Sequence, residues 1–181
     1  MFNYTSAKSG RYTNFAPYGL GIVSKHLKSL GYETKILNLN HHILKKVNEL
    51  NEDEFDYKKI ISDTLLEELN DFNPDLIGLT CMFSMTHKSL KSVSEEIKKI
   101  KNVPVAVGGV HISNSIWNEN TREQLIKDLN HIDLFFLFEA ELSFSEFINS
   151  INSNFNGIEN YKQLIIRDDN ESIFFSSRKK T

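Results

Sequence analysis

Short apolar runs alternate along this chain with stretches of helical periodicity, the pattern of βαβ units whose parallel sheet is covered on both faces. Four runs are too short for helices and read as strands: Thr34-Lys35-Ile36-Leu37, Leu76-Ile77-Gly78-Leu79, Val105-Ala106-Val107 and Leu134-Phe135-Phe136-Leu137. Between them, Leu20, Val23, Leu27 and Leu30 repeat at three and four residues, and Gly31 follows where a left-handed C-cap would end a helix. Ile61, Leu65 and Leu69 repeat that spacing before Asn73-Pro74, and Leu90, Val93, Ile97 and Ile100 repeat it before Pro104. Phe144, Phe147 and Ile151 add a last apolar stripe. The polar run Glu49 to Glu54 reads as the exposed start of a connection or a solvated helix N-terminus.

The end of the chain differs in kind. Gln163 to Ile166, then Asp168-Asp169-Asn170, then Ser172 to Phe175 predicts an antiparallel hairpin. At the other end a doubly wound sheet needs a central strand ahead of the Leu20 helix, and only Met1-Phe2-Asn3-Tyr4 is available for it. The predicted fold is therefore α/β, a flavodoxin-like doubly wound parallel sheet with a short or truncated first strand and a C-terminal β-hairpin. Its expected division is a Rossmann-like domain over 1–158 and, over 159–181, the hairpin and the start of a linker.

Composition narrows the functional classes. A chain of 181 residues, 40% hydrophobic, suits one core. With 21 basic and 24 acidic residues interleaved and a net charge of -3, it lacks the positive field that a nucleic-acid binder uses. The single cysteine, Cys81, lies in an apolar stretch and suits a reducing, cytoplasmic setting, and no window offers the ~20 apolar residues of a membrane span. Neither a Gly-x-Gly-x-x-Gly after a strand, a phosphate-binding Gly-x-x-x-x-Gly-Lys-Ser/Thr nor a Gly-x-Ser-x-Gly elbow occurs.

In open α/β sheets ligands bind beyond the carboxyl ends of the strands, which directs attention to five loops. Thr80 to Thr86 combines hydroxyls with Met82, Phe83 and Met85; these either line a large flat ligand or cap the core, with Ser84 or Thr86 as an N-cap. Gly108-Gly109 after a strand permits either close backbone approach to a ligand or a tight turn, and His111 beyond it is a rim hydrogen bonder or plain polar surface. Glu139 and Glu141 pair two apart as acid and base candidates or as helix N-terminal carboxylates. His41-His42 has no third ligand at metal spacing and is not a zinc site.

Taken in order, Ala16-Pro17-Tyr18-Gly19-Leu20, Asn73-Pro74-Asp75-Leu76-Ile77-Gly78-Leu79-Thr80, Val107-Gly108-Gly109-Val110-His111 and Phe138-Glu139-Ala140-Glu141 resemble the cobalamin-binding domain that precedes the catalytic barrel of radical-SAM enzymes. The resemblance implies cobalamin (vitamin B12) as cofactor, with its corrin ring across the strand ends and its nucleotide tail inserted beside the first helix, near Tyr18 and Gly19. Thr80, Met82 and Ser84 would then touch the corrin or the tail, Gly108 and Gly109 admit the tail, Val110 and His111 border it, and Glu139 stands near its exit. Methionine-synthase-like cobalamin domains carry an Asp-x-His-x-x-Gly whose histidine ligates cobalt, whereas residues 5–18 hold no histidine. Binding without a protein histidine on cobalt and with the benzimidazole displaced is what the resemblance then implies.

The family usually has glycine where Phe138 and Ala140 stand. A radical-SAM barrel needs Cys-x-x-x-Cys-x-x-Cys for its 4Fe-4S cluster, which one cysteine cannot supply. The expected role is a module presenting cobalamin to a catalytic domain in cis or trans, where the cluster and S-adenosylmethionine would reside, with methyl transfer as the reaction. The alternatives are a flavodoxin-like domain for FMN or another small ligand, and a degenerate domain kept for protein interaction.

Overall fold

The computed structural model describes residues 3–12, 16–138, 140–151, 164–167 and 173–175. Eight α-helices and five strands follow one another along these segments. The first three helices are α1 (Tyr4–Lys8), α2 (Tyr18–Ser29) and α3 (Leu39–Glu49), and a 3-10 turn at Glu52–Glu54 leads to α4 (Tyr57–Phe72). Strand β1 (Ile77–Thr80), α5 (His87–Ile100), β2 (Val105–Gly108), α6 (Val110–Trp117), α7 (Glu119–Asp128), β3 (Leu134–Phe136) and α8 (Ala140–Ile151) complete the winding. Strands β4 (Leu164–Arg167) and β5 (Ile173–Phe175) form the hairpin.

The helix stops follow local chemistry. After α2 the Gly31 N–H donates to the Lys28 carbonyl and the Tyr32 N–H to that of Leu27, with Gly31 at φ 91°, the double bond of a Schellman cap. Helix α4 starts where the Asp56 carboxylate accepts from the Lys58 and Lys59 amides, and it ends on Asn73 in the left-handed region at φ 49°, ahead of Pro74.

The sheet runs β1-β2-β3-β4-β5, with β1, β2 and β3 parallel and β4 and β5 antiparallel to their neighbours. The predicted hairpin is present and extends the parallel sheet, because Leu164 pairs with Phe136 and Ile166 with Leu134. Arg167 locks it in place by donating to the carbonyls of Ile132, Ile126 and Leu129. The expected boundary at 158 lies outside the described residues.

Alternation along the strands sends side chains to two cores. Val105, Val107, Phe135 and Ile165 join Leu65, Leu69, Leu90, Ile97 and Ile112 in the larger one, while Ala106, Leu134, Phe136 and Leu164 meet Phe147 on the opposite face. Phe136 packs edge-on against Phe144 and Phe147 of α8 at 4.8 and 5.8 Å.

Two expectations are corrected at the N-terminal side of the sheet. Thr34-Lys35-Ile36-Leu37 is not a strand: β1 is the last strand of the sheet, and no strand lies between it and this segment among the described residues. A ladder needs a neighbour in register, so the segment is held by side chains instead. The Thr34 and Ser24 hydroxyls lie 2.6 Å apart, Lys35 bridges Glu68 and Asp71 at 2.7 and 2.8 Å, and Leu37 packs against the larger core. Tyr4 likewise opens α1 rather than extending a first strand; its hydroxyl donates to the Leu50 carbonyl at 2.8 Å, Lys8 reaches that of Val47, and the ring leans on Phe55.

The polar Glu49–Glu54 run is the end of α3 and a 3-10 turn closed by Asn51 and Glu54 as a capping box. Among the described residues no helix is long and apolar enough to cross a membrane.

Gly109 carries the most demanding backbone contact. At φ 107° it lies so close to Cys81 that a Cβ would stand 2.5 Å from the Cys81 carbonyl oxygen. At Gly78 a Cβ would meet nothing within 4 Å. Gly109→Ala is therefore expected to destabilise the domain by about 2 kcal/mol or more, and Gly78→Ala by less than about 1 kcal/mol, in paired urea titrations.

Candidate functional site

The site begins with four small residues. The β1–β2 register sets Gly78 beside Ala106 and Thr80 beside Gly108, so alternation puts all four on the sheet face that looks toward α2 and α8. Large side chains there would fill the space beneath α2. These do not, and a cavity of about 600 Å³ remains.

Its roof is Gly19, Leu20 and Val23 of α2, and Phe136 and Phe144 close one side. Its mouth at the strand ends is bordered by Met82, Gly109, Val110 and Phe138, with Ser113 and Asn114 as polar points. The lining is otherwise apolar, and the volume falls within the roughly 300–1,000 Å³ usual for cofactor sites.

The loops at the mouth are tied together by backbone bonds. The Cys81 N–H donates to the Gly108 carbonyl at 2.9 Å, and the His111 N–H donates to the Cys81 carbonyl at 3.2 Å, directly across the close contact of Gly109. Ser113, 3% exposed, donates to the Gly109 carbonyl at 3.2 Å and accepts the Phe138 N–H at 2.7 Å. One hydroxyl thus couples the turn after β2 to the turn after β3. Thr86 donates to the Phe83 carbonyl at 2.7 Å and shapes the loop after β1. Burial pushes the Cys81 thiol up, although Thr86 and the Phe83 carbonyl act in the opposite sense, and the side chain is fully enclosed in the larger core.

Of the ten residues singled out by sequence, Gly19, Thr80, Met82, Gly108, Gly109 and Val110 line the cavity. Tyr18 starts α2 and points largely into solvent, and Ser84 is exposed on the 3-10 turn Ser84–Thr86; neither lines it. His111 turns away, its Nε2 lying 3.2 Å from Nδ1 of His87, whose own Nε2 is 3.7 Å from Asp128. Glu139 lies outside the described residues. Met82, Phe83 and Met85 are 51%, 65% and 86% exposed, so they do not cap the core.

Sequence reasoning passed over Gly78 and Ala106, read only as strand residues, and gave no role to Ser113 and Asn114. The signal for the first two was present: small residues at alternate strand positions opposite an amphipathic helix. Among the described residues no cluster of histidine, cysteine and carboxylate could hold a metal ion.

An open α/β domain with an apolar cavity running beneath a helix to the carboxyl ends of its strands is a cofactor-binding domain of the doubly wound class. The B12 binding domain family matches residues 10–147, and the chain belongs to that family. Cobalamin is accordingly its cofactor.

A curated relative, the cytidylyl-2-hydroxyethylphosphonate methyltransferase of Streptomyces wedmorensis, is 25% identical over 142 residues, covering 76% of this chain and 25% of the relative. Two structures of the radical S-adenosylmethionine methyltransferase TsrM from Kitasatospora setae superpose with a TM-score of 0.61 at 18% identity over 87% of this chain. One holds tryptophan and the analogue aza-SAM and the other cobalamin and a [4Fe-4S] cluster; 27% and 25% of those chains are covered. This chain thus spans about a quarter of the length of the proteins it matches. The lining is compatible with such a cofactor: glycine and alanine leave the space open, and Thr80 and Asn114 set polar groups on an otherwise apolar wall.

His111 links the fold to pH. Burial, then the neighbouring His87, lowers the His111 pKa from its ordinary 6.5. The folded state therefore favours neutral His111: its contribution is complete above about pH 6.5 and is lost as pH falls through the depressed folded value. The thermal midpoint is expected to fall between pH 7 and pH 5, and less steeply in His111→Gln, as followed by circular dichroism.

Proposed function

We propose that this domain holds cobalamin with the corrin over the carboxyl ends of β1, β2 and β3 and the nucleotide arm in the cavity, base-off and with no protein histidine on cobalt. The module presents the cofactor's open face to a radical-SAM catalytic domain, in cis or in trans, for methyl transfer. The observation that carries this is the floor of Gly78, Ala106, Thr80 and Gly108, which keeps a channel open between the sheet and α2.

Each part of the site has a task in this reading. Gly19, Leu20 and Val23 cover the inserted arm and exclude water from it, while Gly108 and Gly109 let the arm pass close to the backbone. Thr80 and Asn114 orient it through hydrogen bonds, while Ser113 holds the two turns beside it. Met82 and Val110, each 51% exposed, and beyond them Phe83 and Met85, offer adaptable apolar contact beneath the corrin. Residues 5–18 hold no histidine, and His111 at the strand ends is turned toward His87, which supports a cobalt without a protein ligand.

Cobalamin supplies the carbon–cobalt chemistry, and the protein supplies position. The relatives carry the remainder of the reading: the matched proteins are methyltransferases, and TsrM holds a [4Fe-4S] cluster together with cobalamin. Cys81 is buried among backbone bonds and would take no part in such a cluster.

Titration with hydroxocobalamin and, separately, FMN tests the assignment. The corrinoid spectrum is expected to shift toward the base-off form and to survive desalting. Gly78→Leu, whose side chain has space in the fold but projects into the cavity, should weaken cobalamin binding at least about tenfold while the thermal midpoint stays near wild type. Retention of FMN but no corrinoid would overturn the reading.

A further inference from the structure

Phe138 is a backbone anomaly inside the site. It has φ 61°, and the only other described non-glycine residue at positive φ is Asn73, whose short polar side chain suits the left-handed end of α4. A phenylalanine has no such local reason to be there. An outlier of this kind at a binding site points to a task for the side chain.

The surroundings hold the residue in place. Its N–H donates to Ser113 Oγ at 2.7 Å, and its ring meets Trp117, at the end of α6, edge to face at 5.8 Å and 72°. The residue lines the cavity together with Val110 and Gly109 and is 38% exposed. It therefore stands at the strand-end mouth of the cavity whose floor includes Gly78 and Ala106.

We propose that Phe138 sets which corrinoids this domain takes, by narrowing the mouth and disfavouring those with a bulky nucleotide arm relative to those with a short one or none. The inference rests on the assignment of the cavity to the cobalamin arm. Trp117 acts behind it as a positioning residue, limiting how far the ring can swing aside.

Affinities of the purified chain and of Phe138→Gly and Phe138→Ala for cobalamin and for cobinamide, which lacks the nucleotide, test this by visible absorbance, with a thermal midpoint for each protein. Glycine suits the backbone and opens the mouth, so Phe138→Gly is expected to bind cobalamin about tenfold more tightly and cobinamide within about twofold of wild type. Phe138→Ala separates the ring from the backbone and should move the ratio in the same direction. Unchanged or weakened cobalamin binding would show the ring to be a favourable wall, and an equal gain for both ligands would show a general effect on the fold; either overturns the proposal alone. Retention of neither corrinoid by any of the three proteins would overturn the cobalamin arrangement and this inference with it.

Discussion

The contact between Gly109 and Cys81 is the constraint on which the site depends. Two backbones meet there at a distance that leaves no room for a Cβ, and amides on either side cross-link the ends of β1 and β2. A positive φ at Gly109 starts α6 immediately, which carries Ser113 beneath the turn after β3. Three loops are thereby fixed by one glycine and one buried hydroxyl. Function sits on loops in folds of this class, and here backbone and Ser113 bonds tie the starts of those loops to one another.

The cavity has a different origin, in what the sheet leaves out. On the α2 side the neighbouring positions are Gly78, Ala106, Thr80 and Gly108, while one strand further on Phe136 fills the same level and packs on Phe144. The floor falls away just where β1 ends the sheet. The glycines and the alanine are poor strand formers and gain nothing for the fold there, which agrees with a surface kept free for a ligand.

How far the sequence could be read follows from the range of the forces involved. The helices around Leu20, Leu65 and Leu90 and the stops at Gly31 and Asn73-Pro74 were legible because amphipathic spacing and capping act within a turn or two. The strands at Ile77, Val105 and Leu134 were legible as short apolar runs. Thr34 to Leu37 has the same local character, yet it lies outside the ladder, since pairing depends on a partner that no local pattern reveals. Helices α3, α6 and α7 were hidden because their apolar positions are interrupted by Asn, His and Ser, and tertiary packing on Ile43, Ile112 and Leu125 carries them.

For the site, glycine pairs and strand-end position located the mouth but not the direction of side chains. His111 followed the glycines at the spacing of a rim ligand, and the helix that begins at Val110 rotates it toward His87 and away from the cavity. Phe138 shows the complementary case. The resemblance to the cobalamin-binding family implies only that a glycine is usual at this point, whereas the structure shows that the backbone takes a glycine-like conformation and that Ser113 and Trp117 hold the larger residue in it. A left-handed residue with a large ring costs stability on the order of 1–2 kcal/mol, so the compensation must come from what surrounds it. The Ser113 bond and the Trp117 contact supply part of it, and both hold the residue at the strand-end mouth of the cavity.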